Sequence, residues 1–565
     1  MASSARSIIE TRFEQMFPVL EPGQVERLRR FGETRTYRVT ERLVASGEVS
    51  PGMFVILSGE VAVTQHSVLG RDQPIVSHGP GSFMGELAQL SGRPSLVDAH
   101  ATKAAETLVI PSHRLRDVLV AEAELGEKIM RALILRRVGL LESGLSGPVI
   151  VGRADQADVL RLASFLARNG HPYQQLDPDA DASARTLVEH FHLESAKLPI
   201  VVCPNGQFLR NPTEGDLARC IGLVRAIDPS RVYDVVIIGA GPAGLAAAVY
   251  GASEGLSVMV LDCRAFGGQA GASARIENYL GFPTGITGRA LMARAFNQAE
   301  KFGAEMAIPD EAVRLQCHPD GDGARFQVGL ADGESVRARA VVVATGAEYR
   351  RLDVEHLKEF EGAGVHYWSS PQEAKLCAGQ EVVLVGAGNS AGQGVVFLAS
   401  QVAKVWLLAR CANLATSMSR YLVDRIGGLS NVEVLLETEV SALEGHDGVL
   451  QAIRWRHTPS GKETRRAIQH LFSFIGADPN TSWLSASDLA LDAKGFVCTG
   501  ADVAVGRRAL ETSRDGVFAI GDVRAGSTKR VAAAVGEGAQ VIATIHAFLA
   551  ATGERVAVTA DHGRV

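Results

Sequence analysis

The chain has 565 residues, of which 46% are apolar and 21% are charged, and its formal net charge is −6. This balance is typical of a folded globular protein, excludes a disordered chain and gives no reason to expect a nucleic-acid partner. The length exceeds what one core can organise, and we expect roughly four domains.

Seven cysteines are scattered along the chain, with no two within three positions of each other. The sequence therefore contains neither a CxxC pair nor a zinc-ligand spacing, and no metal site is predicted. The N-terminal residues lack the apolar stretch of a secretory signal, and no run reaches the ~18 apolar residues of a membrane span. With isolated thiols, these features predict a cytoplasmic protein.

Residues 36–111 consist of short β-rich runs broken by glycine turns, as in LVASGEVSPGMFVILSGEVAVTQH. Strands of this length and spacing predict an antiparallel barrel or jelly roll. From Ser112 to Ser146 the apolar spacing becomes helical. We therefore place a first domain at residues 1–146, a β-roll with C-terminal helices.

Residues 147–228 form a second block with its own order of elements. GPVIVG predicts a buried strand, VLRLASFLARNG a helix and YQQLD a second strand; a further helix is expected around Leu187. KLPIVVCPNGQF then predicts a strand–turn–strand and EGDLARCIGLV a helix. This order is typical of a small three-layer α/β domain, and DPSRV follows it as a linker.

From Tyr233 onward, continuous Val/Ile strands followed by helices predict parallel sheets covered on both faces. Gly239, Gly241 and Gly244 form a G-x-G-x-x-G motif between the first strand and helix. Such glycines allow a tight turn, close approach of the backbone to a pyrophosphate and close packing of the helix on the sheet. Asp262 ends the next strand, where a carboxylate can accept hydrogen bonds from ribose hydroxyls.

A second unit, EVVLVGAGNSAGQGVVFLAS, repeats this plan with Gly386, Gly388 and Ala391. The strand after it is predicted to end at Ala409, and Arg410 follows where an NAD site usually has an acid. A guanidinium at that place suits the 2′-phosphate of NADP. A solvated surface arginine is the alternative, so NADPH and NADH both stay open.

From Tyr233 to Leu549 the chain resembles the low-molecular-weight thioredoxin reductases, flavoproteins with an NAD(P) domain inserted into an FAD domain. The matching segments are GGQ, IENYLGFP, VVVATGA, GVFAIGDV and KRVAAAVGEGAQ. The resemblance implies FAD and NADPH (or NADH) as cofactors, a homodimer, an FAD domain of residues 231–348 and 474–555 and an NAD(P) domain of residues 349–473. The expected FAD-binding residues are Gly239, Gly241, Pro242, Ala243, Gly244, Asp262, Gly268, Gln269, Asn278, Ala344, Thr345, Gly346, Gly521, Asp522, Lys529, Arg530 and Val531. The expected NAD(P)-binding residues are Gly386, Gly388, Asn389, Ser390, Ala391 and Arg410.

In that family a CxxC dithiol just before the NAD(P) strand passes electrons from the flavin to a thioredoxin disulfide. Alignment of GVHYWSSPQEA on this segment puts Trp368 and Pro371 at the two cysteine positions, and Cys377 stands alone. Thiol–disulfide exchange cannot proceed without a thiolate. We therefore expect direct electron transfer to an unidentified acceptor; quinones, oxygen, another flavin, an iron–sulfur protein and a small organic oxidant stay open. Trp368 either shields the flavin, stacks on an acceptor or simply packs, and His366 is interpreted as structural.

The block 147–228 resembles a thioredoxin- or glutaredoxin-like fold, with Leu198–Pro199 where that fold has a cis-proline. Its redox motif would fall at Ala154–Ala157, which contains no cysteine. Cys203 and Cys220 are the only thiols of the block. We interpret them as isolated buried thiols and the block as a redox-inactive spacer or docking module, with a redox pair as the alternative.

The segments SPGMFVILSGEVAV and FMGELAQLSGRPSLVDAHA resemble the barrel hairpin and phosphate-binding cassette of cyclic-nucleotide-binding domains. The resemblance implies an effector site at Gly85, Glu86, Leu87 and Ser95, in which Glu86 takes the ribose hydroxyl. Ser95 stands where the family has an arginine for the cyclic phosphate, and Arg93 falls two places early. A barrel without nucleotide, kept as a regulatory or dimer-forming module, is the alternative.

The sequence thus predicts a β-roll, a thioredoxin-like α/β domain and two Rossmann-like α/β domains in one chain. The predicted function is an FAD-dependent NAD(P)H oxidoreductase that resembles thioredoxin reductase, lacks its active-site dithiol and has no membrane span. Two alternatives stay open. One is a cyclic-nucleotide- or redox-responsive signalling flavoprotein with little turnover, and the other is a disulfide reductase that uses Cys203 and Cys220.

Overall fold

The structure is a computed structural model. It describes residues 8–66, 72–85, 88–91, 93–143, 147–153, 156–181, 184–185, 199–204, 206–224, 227–273, 275–317, 323–362, 364–369, 371–446 and 448–552. The predicted helix around Leu187, the positions Ala154, Glu86 and Leu87, and the first residue of the Leu198–Pro199 peptide lie outside these ranges.

The N-terminal domain is the predicted antiparallel roll, with strand order β1-β6-β3-β4, β2 paired to β6 and β5 paired to β3. Its strands are β1 (Glu33–Tyr37), β2 (Arg42–Val44), β3 (Met53–His66), β4 (Asp72–His78), β5 (Phe83–Met84) and β6 (Asp98–Ile110). Its helices are α1 (Ile8–Met16), α2 (Pro22–Leu28), α3 (Ala88–Ser91), α4 (Ser112–Ala121) and α5 (Ala123–Ser143), with a 3₁₀ turn at Arg29–Phe31. Apolar residues of α4 and α5 form one buried cluster with Met53 and Phe83, so the helices close one end of the roll.

The second domain is built on a four-stranded sheet of order β10-β9-β7-β8, in which β7 runs parallel to β8 and antiparallel to β9. Its elements are β7 (Val149–Val151), α6 (Ala157–Arg168), β8 (Gln174–Leu176), β9 (Ile200–Val202), β10 (Phe208–Arg210) and α7 (Glu214–Cys220). A capping box of Thr213 and Asp216 starts α7. Helices α6 and α7 bury Leu162, Phe165 and Leu217 on the sheet.

The third domain begins with the first glycine motif. Its elements up to the crossing into the next domain are β11 (Val232–Ile238), α8 (Pro242–Ser253), β12 (Val258–Leu261), α9 (Gly268–Ala272), α10 (Gly288–Lys301), β13 (Glu305–Ala307), β14 (Ala312–Cys317), β15 (Phe326–Leu330), β16 (Ser335–Val343) and β17 (Ala347–Tyr349). Strands β11, β12, β13 and β16 are parallel and fully or largely buried, as continuous Val/Ile runs predict.

The fourth domain contains the second glycine motif on a parallel sheet of order β18-β25-β19-β20-β21. Its strands are β18 (Val365–His366), β19 (Glu381–Val385), β20 (Lys404–Leu408), β21 (Val432–Leu435), β22 (Thr438–His446), β23 (Val449–His457), β24 (Glu463–Arg466) and β25 (Leu471–Ser473). Its helices are α11 (Leu357–Phe360), α12 (Pro371–Leu376), α13 (Asn389–Ala399) and α14 (Arg420–Gly427), with a 3₁₀ turn at Leu414–Thr416. Strands β22 to β24 form a separate antiparallel sheet. Strand β20 ends at Leu408, one residue before the predicted end.

The chain then returns to the third domain. The returning elements are β26 (Ala477–Pro479), β27 (Val517–Ala519), α15 (Val531–Ala551) and 3₁₀ turns at Ser482–Leu484, Gly500–Asp502 and Gly521–Val523. Strand β27 joins β16 in parallel. Strand β26 pairs with β17, so the two crossings between the third and fourth domains form one antiparallel ribbon.

One helix of the described chain, Val531–Ala551, is long and apolar enough to cross a membrane by length and composition alone. Its face with Val541, Ile542 and Ile545 belongs to the same buried cluster as α8. A core helix of a folded domain passes the same test, so the feature is weak evidence for a span.

Candidate flavin and nicotinamide sites

The first glycine turn has the shape that its motif predicts. Gly239 has a φ of +112°, and a Cβ there would lie 2.2 Å from the carbonyl oxygen of Ala344. A Cβ on Gly244 would lie 1.9 Å from the oxygen of Gly239, so α8 packs directly on the turn. Gly241 is different, because its added Cβ would meet nothing nearer than the Cα of Gly268 at 4.0 Å. The turn therefore leaves room for a methyl group at its middle glycine, at ordinary van der Waals distance from Gly268.

Asp262 follows β12 as predicted, and its carboxylate organises the two loops beside it. One oxygen accepts the N–H of Ala240 at 2.9 Å, and the other accepts those of Arg264 at 3.0 Å and Ala265 at 3.1 Å. Burial raises the pKa of Asp262, although these N–H donors act in the opposite direction. The structure therefore shows a carboxylate that fixes the glycine turn.

The predicted residues after β12 and β16 come together at the same edge. Gln269 donates from its side chain to the carbonyl of Ala347 at 2.6 Å. The Thr345 hydroxyl donates to the carbonyl of Asn480 at 2.8 Å, and the N–H of Asn480 donates to Gly346 at 3.1 Å. These bonds hold the start of the β17–β26 ribbon against the loop that carries Gly268.

Asp522 lies in the turn Gly521–Val523, and a Cβ on Gly521 would approach Ala243 of α8 to 2.9 Å. The turn therefore sits on the first turn of α8, near its N-terminus. Burial raises the pKa of Asp522, and the neighbouring Lys529 lowers it. Lys529 donates to the backbone oxygen of Asp522.

Glu537 on α15 was missed by the sequence interpretation. Its carboxylate accepts the N–H of Gly521 at 2.6 Å and pairs with Arg524 at 2.6 Å. It therefore fixes the turn that carries Asp522, and its position in KRVAAAVGEGAQ, two turns into a helix, gave no signal of that role. Arg530 is the N-cap of α15 and Val531 its first residue.

Asn278 is the predicted FAD-binding residue that the structure does not bring into this set. It lies exposed on the turn after Ile276, which is paired to Ile286. Pro242 and Ala243 open α8 at the glycine turn, as predicted.

The second glycine turn repeats the geometry of the first. Gly386 has a φ of +147°, and a Cβ there would lie 2.5 Å from the oxygen of Phe474. A Cβ on Gly388 would meet nothing within 4 Å, whereas Ala391 is fully buried. The second turn therefore also leaves its middle glycine open.

The other predicted residues around this turn divide into supporting and exposed positions. The side chain of Asn389 accepts the N–H of Ser419 at 2.7 Å, which ties the turn to the start of α14. Ser390 and Arg410 are exposed, and Arg410 lies two residues beyond the end of β20.

Trp368 lies between β18 and α12, beside the aromatic side chains of the crossing ribbon. Its indole N–H donates to Glu373 at 2.9 Å, and its ring centroid is 6.4 Å from that of Tyr349. Tyr349 also stacks on Tyr367 at 6.1 Å. Burial raises the pKa of Tyr349 to about 12, so this phenol is neutral. Pro371 begins α12.

His366 pairs with His470 in the interior of the fourth domain, with ring nitrogens 3.2 Å apart. Burial lowers the pKa of His366 to about 3 and that of His470 to about 4. Both rings are neutral near pH 7, as the structural interpretation of His366 requires.

Cys377, the thiol nearest in sequence to Trp368, is buried and donates to the backbone oxygen of Glu373 at 3.2 Å. Burial raises the pKa of its thiol to about 11, which suppresses the reactive thiolate.

Cys203 and Cys220 form a disulfide, with their Cα atoms 5.9 Å apart. The interpretation of these residues as isolated thiols is therefore wrong. The pairing arises because the end of α7 packs over the turn that follows β9, and a separation of 17 residues carries no recognisable motif. The other cysteines are free.

The N-terminal effector position is only partly described, since Glu86 and Leu87 lie outside the described ranges. Ser95 is buried, and its hydroxyl donates to the carbonyl of Val97 at 2.9 Å. The Arg93 guanidinium lies 5.2 Å from the ring of Phe296 on α10 of the third domain. Neither residue supplies the cationic contact that a cyclic phosphate would need.

Gly85 is held from outside the roll by Arg136 of α5. This buried guanidinium donates to the carbonyls of Met16 at 2.9 Å, Phe83 at 3.0 Å and Gly85 at 2.9 Å. Burial lowers the pKa of Arg136 to about 9. The sequence interpretation missed this residue, because a single arginine in a long helix carries no local signal.

The donor set at the first glycine turn fits the diphosphate of FAD. A Cβ on Gly241 would have room, since its nearest neighbour would be the Cα of Gly268 at 4.0 Å, and the first-turn N–H groups of α8 have no partner within the helix. A helix N-terminus carries partial positive charge and favours a phosphate. The residues present therefore suit an anionic dinucleotide.

Comparison with known proteins gives matches to both halves of the chain. Residues 233–538 match the family described as pyridine nucleotide-disulphide oxidoreductase, and residues 34–122 match the cyclic nucleotide-binding domain. Thioredoxin reductase of Bacillus subtilis is 32% identical over 308 residues, which cover 54% of this chain and 92% of that relative. Bifunctional thioredoxin reductase/thioredoxin of Mycobacterium leprae is 32% identical over 308 residues, which cover 54% of this chain and 64% of that relative.

Among solved structures, Lactococcus lactis thioredoxin reductase in its FR conformation superposes with a TM-score of 0.52 and 27% identity. The match covers 56% of this chain and 99% of that one. The chain therefore belongs to the pyridine nucleotide-disulphide oxidoreductase family: it is an FAD-dependent NAD(P)H oxidoreductase similar to thioredoxin reductases, joined to an N-terminal cyclic nucleotide-binding domain.

Proposed function

We propose that this enzyme transfers electrons from NAD(P)H through FAD directly to a flat aromatic oxidant of the quinone class, without a dithiol at the flavin. Bound FAD supplies the hydride-accepting and electron-donating chemistry. The observation that carries the proposal is the identity and surroundings of Trp368 and Pro371, the residues aligned with the family's two cysteines.

The segment around Trp368 supports an aromatic acceptor. Trp368, Tyr349 and Tyr367 form a contiguous group of rings at the crossing ribbon. Hydrogen bonds to Glu373 and Glu361, at 2.9 Å and 2.5 Å, hold two of these rings in place. Fixed aromatic faces bind flat rings by offset stacking, which adds about 0.5–1.5 kcal/mol to the gain from area burial.

The same segment cannot carry a thiol relay. Cys377 is its only cysteine, and a buried thiol with a pKa near 11 supplies almost no thiolate at neutral pH. A disulfide would also need a second sulfur within reach. Electrons therefore leave the flavin by another route in this proposal.

The disulfide between Cys203 and Cys220 favours a second candidate, a disulfide reductase in which this pair receives the electrons. Cys203 is fully buried and Cys220 is half-buried. Exchange requires in-line access to one sulfur, so an external thiolate has limited access to this pair, and only on the side of the half-buried Cys220. This limited access favours the first candidate.

Our remaining expectations complete the proposal. The exposed Arg410 supports NADPH as the preferred nicotinamide. The N-terminal roll acts as a regulatory module, because its cassette contacts the FAD domain through Arg93. A cytoplasmic homodimer, with the NAD(P) domain rotating on the β17–β26 ribbon during turnover, is the working arrangement.

Anaerobic reduction of the full-length holoenzyme tests both candidates. NADPH and NADH are added separately while flavin absorbance is followed, and then a soluble quinone, oxygen or a protein disulfide is offered. The same series is run on Cys203→Ser/Cys220→Ser. We expect reduction within seconds, uptake of about one equivalent of NADPH per FAD and quinone turnover that the double variant retains.

Other outcomes separate the alternatives. Uptake of about two equivalents per FAD, falling to about one in the double variant together with loss of disulfide turnover, would establish the second candidate. Reduction that takes minutes with both nicotinamides would contradict either enzyme and leave a signalling flavoprotein.

A further inference from the structure

The thioredoxin-like domain is docked on the FAD domain through the end of helix α6. Asn169, its C-cap, is buried and donates from its side-chain amide to the carbonyl of Arg264 at 3.0 Å. The Arg264 guanidinium pairs with Glu214 of α7 at 2.9 Å. Two elements of the thioredoxin-like domain therefore hold the loop that follows β12.

Arg168, the last residue of α6, reaches further along that loop. Its guanidinium donates to the carbonyl of Gly268 at 3.4 Å, a long hydrogen bond. Gly268 packs closely against the first glycine turn, since its own added Cβ would lie 3.1 Å from the Cα of Gly241. An arginine from a different domain thus stands at the edge of the space that suits the FAD diphosphate.

The charges around Arg168 leave its guanidinium available. Asp262, an acid of the FAD domain that raises the pKa of Arg168, directs both oxygens to backbone N–H groups. Glu214 is engaged by Arg264. A guanidinium has five N–H donors, and within the described chain the bond to Gly268 is the single one recorded for Arg168.

Burial lowers the pKa of Arg168, and the adjacent Arg264 acts in the same direction, whereas Asp262, Tyr349 and Glu214 raise it. Because Asp262 and Glu214 are already engaged by other donors, a half-buried cation beside a second cation would gain from a further anion. The diphosphate of a flavin nucleotide supplies that anion, with oxygens suited to bidentate contact by a guanidinium.

We propose that Arg168 is a cofactor-binding residue, supplied by the thioredoxin-like domain, whose guanidinium binds the diphosphate of FAD across the Gly268 loop. The domain that lacks a CxxC motif thereby acts as a clamp on the flavin. The inference depends on FAD as the cofactor and is independent of which acceptor the enzyme uses.

The rate of FAD release from the full-length holoenzyme tests the proposal. Holoenzyme is diluted into buffer with an excess of a flavin-binding trap, and the recovery of flavin fluorescence is followed at two salt concentrations. Loss of a charge-assisted hydrogen bond predicts release roughly 10- to 100-fold faster in Arg168→Ala. Arg168→Lys should be intermediate, since it keeps the charge and loses the bidentate geometry.

Arg161→Ala is the matched control. Arg161 lies on the same helix, and its bonds to Asp158, Asn211 and Pro212 all stay within the thioredoxin-like domain. We expect its FAD release to stay within about twofold of the parent. Resistance of the Cys203–Cys220 disulfide to mild reductant, compared with the parent, checks that each variant keeps the domain folded.

Three results would overturn the proposal. They are parent-like FAD release in Arg168→Ala, equal acceleration in Arg161→Ala, and an Arg168→Ala variant that binds NADP⁺ more weakly while FAD release is unchanged. The last would assign Arg168 to a phosphate of the nicotinamide coenzyme.

Discussion

The glycines of the two dinucleotide turns fall into two physical classes. Gly239 and Gly386 have φ values of +112° and +147°, and each stands against a backbone carbonyl that a Cβ would strike. Gly241 and Gly388 have ordinary φ values of −74° and −89°, and a Cβ would meet only the Cα of Gly268 at 4.0 Å in the first case and nothing within 4 Å in the second. The backbone conformation and packing of the turn require glycine at Gly239 and Gly386, whereas only a bound ligand would require glycine at Gly241 and Gly388.

Gly388→Ala should therefore weaken nicotinamide binding without harming the fold. The new methyl group occupies the space through which the backbone approaches a phosphate, and we expect the Kd for NADPH to rise roughly tenfold, or about 1.4 kcal/mol. FAD content and the unfolding temperature should stay unchanged. The measurement is a fluorescence titration of the holoenzyme with NADPH.

Gly427→Ala is the control for this substitution, because Gly427 ends α14 in the same domain and its added Cβ also meets nothing within 4 Å. Its Kd should equal that of the parent. If the two variants had equal Kd values, the phosphates of the coenzyme would not lie against the backbone at Gly388.

At the level of single residues, the sequence predicted what local geometry determines. The glycines and Asp262 are recognisable because a strand, a turn and a helix must follow one another at fixed spacing. The disulfide of Cys203 and Cys220 could not be predicted, because the contact arises only when α7 folds back over β9. Glu537 and Arg136 were missed for the same reason, since each acts on a distant turn.

At the level of elements, the parallel sheet of the fourth domain buries two histidines, one on β18 and one immediately before the neighbouring strand β25. His366 of β18 and His470 before β25 are 5% and 8% exposed, and Phe472 packs on His366 with ring centroids 4.9 Å apart. A charged imidazole at either position would have no contact with solvent, and it would lie beside a second imidazole. The sheet is therefore built around two neutral rings.

This pair should make the domain sensitive to acid. The folded pKa values, about 3 and about 4, lie below the unfolded value near 6.5, so the unfolded chain binds protons first as pH falls. Stability is complete above pH 6.5 and falls between about pH 6.5 and 4 for His470 and between about pH 6.5 and 3 for His366, by up to about 1.4 kcal/mol per pH unit for each ring. Thermal unfolding at pH 7.5 and 5.5 measures the effect.

His366→Leu/His470→Leu removes both titrating groups and should lose part of the drop in unfolding temperature between the two pH values. The drop should not vanish, because burial also lowers the pKa of His78 and His171, each to about 3. His446→Gln, at an exposed position of the same domain, should keep the full drop. If the double variant showed the same drop in unfolding temperature as the parent, the two histidines would not take up protons when the protein unfolds.

The elements themselves were largely predictable, since hydrophobic runs and glycine turns determine strands and helices locally. The antiparallel roll, the chain order of the described elements from β7 to α7 and the parallel sheet of the fourth domain agree with their patterns. In the third domain β11, β12, β13 and β16 are parallel as predicted, whereas β14 and β15 add antiparallel strands that the pattern did not predict. The end of β20 differed by one residue, because Ala409 is buried like the strand before it and burial alone does not mark a strand end.

At the scale of the whole molecule, arginines make contacts between the domains, and no sequence pattern predicted these contacts. Arg93 of the roll contacts Phe296 of the FAD domain, and Arg425 of the NAD(P) domain pairs with Glu277 at 3.3 Å. Such contacts depend on how finished domains meet, so periodicity and motif spacing carry no information about them. The family resemblances predicted the individual domains and did not predict how these domains dock on one another.

The contact between Arg93 and Phe296 is linked to the flavin site through neighbouring side chains. Phe296 stacks on Phe266 with ring centroids 4.4 Å apart, and Phe266 immediately precedes Gly267, whose added Cβ would touch Met292 of α10 at 2.9 Å. The roll therefore braces the helix against which the FAD loop is packed. Loss of the contact between Arg93 and Phe296 should therefore loosen the loop.

Arg93→Ala should accordingly lower the temperature at which the holoenzyme releases FAD, followed by flavin fluorescence during heating. A cation–π contact of about 0.5–1 kcal/mol corresponds to a shift of about 1–4 °C. Arg114→Ala is the comparison, because Arg114 lies 5.7 Å from the ring of Phe31 and both belong to the roll. That variant should weaken the roll itself and leave FAD release unchanged. Equal shifts in the two variants would mean that general loss of stability, rather than the brace through Phe296, reaches the flavin.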